Sequence, residues 1–257
     1  MKFYLDIEKS NSIESVLHKY ASINQNLFSV LINNELWFSS PSDFNDPYDC
    51  NLSYDFSDNS EEIIYNYFKY AETLITKKES DSNLRIRAKR LNDNLNECES
   101  LSRDLLKDTL DKRGITCFSK RDDILLMWSH YSDKHKGVCL TFDFERDKDF
   151  LTLPYKVSYP ESHPKVNPFI NRGNETQFLF ATKSKEWEYE KEVRVVKEAA
   201  VHTKFQGAVG FNPLALTEIK FGYKVSPEDV RIIRNLVLRK YPHIKLFALK
   251  SKRQSLE

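Results

Sequence analysis

Two hydrophobic periods divide the chain. Leu27, Val30 and Leu31 recur at helical spacing and run into LWFSS, so residues 23–38 predict an amphipathic helix followed by a strand, after a short apolar segment at residues 12–20. Residues 60–112 contain almost no glycine or proline. There Ile63, Ile64, Tyr67, Phe68 and Ala71 share one face of EEIIYNYFKYAETLITKK, and two or three helices are expected, forming a cap or insertion over the core. Beyond Gly114 the period shortens. GITCFSK and GVCLTFDF read as strands on either side of a helix, DDILLMWSHYS, with Ile124, Met127, Trp128 and Tyr131 at i, i+3, i+4 and i+7 and Asp122 or Asp123 as its N-cap. LPYKVSYP predicts another strand, PESHPKVNPFINRGN a loop, residues 175–183 a helix and EWEYEKEVRVVK a strand.

At the C-terminal end, strand LTEIKFG, helix PEDVRIIRNLVLRK and strand HIKLFALK follow one another. Ser226, Pro227 and Asp229 fit the N-cap, N1 and N3 positions of that helix. A strand-helix-strand of this kind predicts a parallel pair, whereas the other segments look antiparallel. The expected fold class is α+β: a single domain over residues 1–257 with a mixed, mostly antiparallel sheet, a helical insertion at about 60–112 and the C-terminal strand-helix-strand.

Composition narrows the partners. Hydrophobic residues at 40% and aromatics at 13% describe a folded chain, and a net charge of +1 argues against a globally basic nucleic-acid binder. Lys77, Lys78, Arg85, Arg87, Lys89 and Arg90 still concentrate positive charge in the insertion. A solvated helix face explains most such runs, and nucleic-acid contact through 77–90 stays open. Cys50, Cys98, Cys117 and Cys139 have no CxxC or metal-ligand spacing and read as reduced, buried thiols. Charges interrupt the N-terminus, and no segment approaches the ~20 apolar residues of a membrane span, so a cytoplasmic location without membrane contact is expected. Oligomeric state stays open.

Three clusters could carry chemistry. Read as one strand, residues 187–196 put Trp187, Tyr189, Val193 and Val195 on one face and Glu188, Glu190, Glu192 and Arg194 on the other. That second face is either the solvated side of an edge strand or the floor of a site. In FSSPSDFNDPYD, Asn45, Asp46 and Pro47 make a rigid turn; Asp43, Asp46 and Asp49 could present carboxylates together, but their spacing matches no calcium loop and no metal site is predicted. In MWSHYSDKHKG, His130 and Tyr131 near a helix end and His135 and Lys136 in the next turn bring donors beside Gly137, where a phosphate could approach, although a structural role is commoner for either histidine. Absence of GxxxxGK[ST], GxGxxG and GxSxG patterns argues against P-loop hydrolysis, classical dinucleotide binding and α/β-hydrolase chemistry.

Taken together, HKY at residues 18–20, LWFSSPSDFNDPYD, ITCFSK, LMWSHYSDKHKGVCLTFDF and KSKEWEYEKEVRVV resemble a bacterial family, domain-of-unknown-function family 2971, whose name implies no activity. LHKYAS, the helix around Leu27 to Leu31, LWFSS and the strand bearing Glu190 and Glu192 are more distantly similar to ADP-ribosyltransferase folds. That second resemblance implies NAD as a substrate and cleavage of its nicotinamide–ribose bond, with Glu190 or Glu192 catalytic and Arg194 orienting the pair. Lys19 or Tyr20, unless His18, takes the first-strand position; Tyr20 and Ser39 position the ribose and the nicotinamide amide, and Trp37 or Phe44 stacks on the ring. With Asn45, Asp46, His130, Tyr131 and Lys136 these form the candidate set for a small anionic ligand or nucleotide. By analogy, a toxin or phage-defence role follows. Two rival readings stand beside it: a non-catalytic module that binds a ligand or partner, and a metal-dependent nucleic-acid enzyme using Asp43, Asp46, Asp49 and the glutamates.

Overall fold

Alternation of side chains along five strands gives this protein a sheet with one apolar and one polar face. The computed structural model describes residues 14–46, 48–73, 78–151, 154–170, 175–198 and 207–249. In chain order these form β1 (Val16–Ala21), α1 (Gln25–Asn33), β2 (Glu35–Phe38), β3 (Ser53–Tyr54), α2 (Glu61–Glu72), α3 (Asp81–Asp93), α4 (Leu95–Asp111) and β4 (Arg113–Ser119). There follow α5 (Leu125–His130), β5 (Val138–Asp143), β6 (Pro154–Lys156), β7 (Lys165–Val166), α6 (Glu175–Ala181), a 3₁₀ turn at Lys185–Glu190, β8 (Glu192–Glu198), β9 (Gly207–Gly210), β10 (Leu216–Phe221), α7 (Pro227–Lys240) and β11 (Lys245–Ala248).

Seven strands make the main sheet in the order β11-β10-β5-β1-β4-β8-β6. All its pairings are antiparallel except β10 with β11, the parallel pair expected around α7. The α+β class is therefore that of the molecule. Leu17, Phe118, Leu140, Phe142, Val193, Val195, Ile219 and Phe221 turn to one face, where Leu27 and Leu31 of α1 and Ile233 and Val237 of α7 cover them. On the other face the register runs Glu218, Thr141, His18, Ser119, Glu192 across five adjacent strands, a row of polar side chains. Three helices occupy the predicted insertion. Ile64, Tyr65 and Phe68 of α2 pack with Leu84, Ala88 and Leu91 of α3, Cys98 of α4 and Phe169 in a separate apolar cluster.

Capping explains where several helices start. Ser226 accepts from the Asp229 amide at 3.0 Å, as its position before Pro227 predicts. At α5 the expected cap does not form: Ile124 occupies the position, while the Asp122 carboxylate pairs with Lys220 and that of Asp123 with Arg121. The apolar stripe of α5 is nevertheless as predicted, Met127 and Trp128 being buried against Tyr20 and Cys139, with Ile124 and Tyr131 beside them. Within the segment expected to be a loop, Lys165–Val166 pairs in parallel with β3. Residues 182 and 183 lie beyond the end of α6, outside the helix expected to reach Lys183. All four cysteines are free; Cys50, Cys98 and Cys139 are buried, but Cys117 is only half-buried because it borders a cleft. Among the described residues no helix is long and apolar enough to cross a membrane.

The largest departure from the sequence pattern falls at residues 187–196. Trp187 through Glu190 belong to the 3₁₀ turn and only the part from Glu192 is strand. This strand is no solvated edge: β8 lies between β4 and β6, and Glu190, Glu192 and Arg194 are 3%, 4% and 0% exposed. Lys191 at the junction is left-handed, with φ 47° and ψ 49°, a conformation costing a side-chain-bearing residue roughly 1–2 kcal/mol. It reverses the local path, so Glu190 and Glu192 reach one interior space even though they belong to different elements.

Candidate functional site

Strands β1 and β4 form a ladder of one residue pair, His18 with Ser119, among the described residues. Further along, the β4 edge is taken by Ser39, which exchanges hydrogen bonds with Ile115 at 3.0 and 2.9 Å. Between these two closures a cleft of about 310 Å³ opens. Successive residues of both strands, 18–20 and 115–119, border it, as expected where space lies between strand edges and not over one face. Lys19 reaches across, its ammonium donating to Thr116 Oγ1 at 2.9 Å and the Cys117 carbonyl at 3.0 Å.

One wall of the cleft is a buried ion cluster. Arg194 donates to both oxygens of Asp49 at 2.8 and 2.7 Å and to both of Glu192 at 2.9 and 3.0 Å. Lys183 lies 2.5 Å from Glu190, 3.5 Å from Glu192 and 3.7 Å from Asp49. The Tyr131 hydroxyl donates to the other oxygen of Glu190 at 2.6 Å. Such a cluster is tolerable in the interior because every charge has an opposite neighbour. Burial disfavours ionisation of Glu192, but Arg194 and Lys183 outweigh it and hold the carboxyl down at about 2. For Glu190 burial prevails over the attraction of Lys183, and the negative charge of Glu192 adds to it, so its pKa is raised. Burial lowers the pKa of Lys19, which is half-buried and has no carboxylate within 4.0 Å among the described residues. The two chain segments that supply the carboxylates each carry a left-handed residue beside them, Cys50 with φ 51° after Asp49 and Lys191 between the glutamates.

Most of the residues singled out from sequence meet here. Lys19, Tyr20, Trp37, Ser39, Phe44, Asn45, Tyr131, Glu190 and Glu192 line the cleft. Arg194 lies behind them, fully buried, with the Phe44 ring 5.6 Å from its guanidinium. Three of the residues singled out are placed elsewhere. Asp46 is turned to its own loop, accepting from the Tyr48 amide at 2.9 Å; His130 is exposed beside Tyr189, at 6.4 Å between rings; and Lys136 is exposed in the turn after α5, so none of the three lines the cleft. Lys136 stands in the turn made by the left-handed residues Asp133, Lys134 and His135. Asp43 and Asp49 both line the cleft while Asp46 does not; Asp49 is held by Arg194, and among the described residues no group of three or more His, Cys, Asp or Glu is placed to hold a metal ion. In the basic stretch Lys77 lies outside the described residues. Arg85 and Arg87 pair with Glu62 and Glu79 and cover the Tyr65 and Phe68 rings at 4.1 and 4.3 Å, while Arg90 pairs with Glu97, which spends their charge on the helices themselves.

The sequence reading missed Lys183 as a site residue. Its only local mark is a cation directly after the apolar FLFAT at the end of α6, seven residues before Glu190. Asp49 was weighed only as a metal ligand, and nothing within YDC announces an arginine 145 residues away. Residues 127–195, which include Tyr131, Lys183, Glu190, Glu192 and Arg194, match the model of a family described as a protein of unknown function, DUF2971. No curated protein and no solved structure matches the chain.

Proposed function

We propose that the cleft binds a nucleotide of the NAD type and breaks its nicotinamide–ribose bond, with Glu190 as the catalytic carboxylate. The observation that carries this reading is the meeting, in one cleft, of Glu190 with Lys19, Tyr20, Trp37 and Ser39 from strands more than 150 residues earlier. In the reaction the C1′–N bond breaks and its electron pair leaves with nicotinamide, neutralising the pyridinium charge. The ribose then carries oxocarbenium character, which a carboxylate in a poorly solvated wall stabilises more strongly than one in water. An acceptor, whether protein, nucleic acid or water, adds to C1′ and gives up a proton.

The surrounding residues suit these tasks. Tyr131 and Lys183 hold the Glu190 carboxyl in one orientation, and Glu192, kept ionised by Arg194, fixes the position of Lys183. Half-exposed Trp37 and Phe44 offer ring faces to a base. Lys19, lacking a carboxylate partner within the described residues, is suited to a phosphate. A cleft of about 310 Å³ is at the small end for ligand sites and would enclose one end of a dinucleotide. A toxin or phage-defence role accompanies this activity by analogy.

The test is mass-spectrometric detection of nicotinamide after incubation with NAD, using the wild type, Glu190→Gln and Glu192→Gln, with cell lysate supplied as a source of acceptors. Release that Glu190→Gln loses while remaining folded supports the assignment. No release by the wild type removes it. One observation favours a second reading, a non-catalytic binding module: both Glu190 oxygens already have partners, at 2.6 and 2.5 Å. A thermal shift with NAD and no product would favour that module. Metal-dependent nucleic-acid cleavage is the weaker rival, because Asp46 lies outside the cleft, both oxygens of Asp49 are taken by Arg194, and Arg85, Arg87 and Arg90 are ion-paired.

A further inference from the structure

The polar row across the sheet contains a second reactive group, opposite the ion cluster. His18, Ser119 and Glu192 are in register on β1, β4 and β8, so His18 and Glu192 stand two strand spacings apart, about 10 Å between Cα atoms. Ser119, the small residue between them, turns its hydroxyl away to the Glu190 carbonyl at 2.6 Å. All three residues border the cleft.

The His18 ring has two different sides. Nδ1 lies 3.1 Å from Thr141 Oγ1 and 3.9 Å from the Asp122 carboxylate, which is itself paired with Lys220. A carboxylate on that side draws the imidazole proton to Nδ1 and leaves the lone pair on Nε2. No hydrogen-bond partner of Nε2 occurs among the described residues, and no buried side-chain nitrogen or oxygen among them lacks a partner, so Nε2 reaches accessible space. His18 borders the cleft. Its side chain is only 12% exposed, which is the arrangement of an oriented base with one working atom.

We infer that His18 is the proton acceptor for the group that attacks ribose C1′, acting from the wall opposite Glu190, with Thr141 and Asp122 as positioning residues. This rests on the NAD-cleaving reading and adds its second half. The attacking O–H or N–H forms its bond to C1′ and its proton passes to Nε2, while the electron pair of the broken C1′–N bond departs with nicotinamide. Asp122 then balances the imidazolium. The charged groups around His18 are Asp122, Asp123, Glu218 and Lys220; burial, its largest influence, lowers its pKa, so the ring is neutral and ready to accept at neutral pH. Tyr20, on the same strand, is not the base: burial raises its pKa and its hydroxyl is committed to the Arg121 carbonyl at 3.0 Å.

The experiment measures the rate of nicotinamide release from saturating NAD, and NAD affinity by calorimetry, for the wild type, His18→Ala and His18→Gln, each with and without added imidazole. The expected result is a rate lower by about 100-fold in both variants, NAD affinity retained, and partial restoration of His18→Ala, but not of His18→Gln, by imidazole. His18→Gln keeps an amide for Thr141 and the ring's volume, so it stands in should the alanine variant not fold. Wild-type rates in either folded variant, or a loss that imidazole leaves untouched in folded His18→Ala, overturn the assignment while leaving the Glu190 reading intact. A wild type that binds NAD and releases nothing overturns both.

Discussion

Arg194 and Asp49 are 145 residues apart in the chain and joined by two parallel hydrogen bonds of 2.8 and 2.7 Å in the interior. The fork of the guanidinium matches one carboxylate edge to edge and still reaches both oxygens of Glu192, which a lysine could not do. This single arginine ties the loop after β2 to β8 and thereby closes the floor of the cleft.

Removing Arg194 leaves Asp49, Glu190 and Glu192 facing Lys183 alone, whereas removing Asp49 leaves Arg194 still paired with Glu192 and Lys183 with Glu190. Arg194→Ala is expected to lose about 3–5 kcal/mol of stability and Asp49→Ala less, measured by urea unfolding. Arg194→Lys should recover only part of it. A loss within experimental scatter of zero for both alanine variants would mean that the cluster contributes nothing net to folding.

Glu192 predicts a stability that depends on acid. Its folded pKa of about 2 lies below its unfolded value, so its contribution is present above the unfolded pKa, roughly 4.3, and is lost as pH falls toward about 2. Unfolding free energy of the wild type should therefore drop more steeply across that window than that of Glu192→Gln. Parallel slopes would contradict the assignment of the lowered pKa.

Glu190 predicts the opposite sign. Its folded pKa is raised by burial, so ionising it as pH rises past the unfolded value of roughly 4.3 costs stability. Glu190→Gln removes that cost and should gain on the wild type as pH is raised from about 4.3 to 7, though its amide offers one acceptor oxygen to the two donors Tyr131 and Lys183. The same variant should lose nicotinamide release, giving a protein no less stable in its pH response and catalytically silent. Differential scanning calorimetry over pH, run beside the activity assay, checks both.

Gly137 is required by close approach. A Cβ there would come within 2.1 Å of the Ala21 carbonyl oxygen at the end of β1, where only backbone can give way. Gly137→Ala should cost about 1–3 kcal/mol and, by displacing the end of β1 against β5, loosen Tyr20 and Lys19. A melting temperature equal to that of the wild type would show that the chain accommodates the methyl group without strain.

Where a local rule acts alone, the sequence was decisive. Ser226 before Pro227 and Asp229 starts α7, and the strands on either side become a parallel pair because one helix is long enough to cross between them. Alternation of apolar and polar residues divides Phe118 from Ser119 and Leu140 from Thr141, which is enough to predict a sheet with one core face. The helical insertion is likewise written in its spacing of Ile64, Phe68, Leu84 and Leu91. Several of the cleft-lining side chains, among them Trp37, Ser39, Phe44, Tyr131 and Glu190, were also recognisable as candidates from local pattern and resemblance.

Tertiary structure decided the rest, for reasons of distance and backbone conformation. Residues 187–190 carry the alternation of a strand, yet a left-handed Lys191 breaks the period, and nothing in a lysine announces φ 47°. Whether the glutamate face is solvated or buried depends on β4 and β6 pairing on both sides of β8, and on Asp49 and Lys183 arriving from other elements to balance it. The opening between β1 and β4 exists because the ladder stops after His18 and Ser119 and the Ser39 backbone takes the next place. Local sequence determines which face each residue presents; charge pairing and strand-edge closure between distant segments determine where those faces enclose a site.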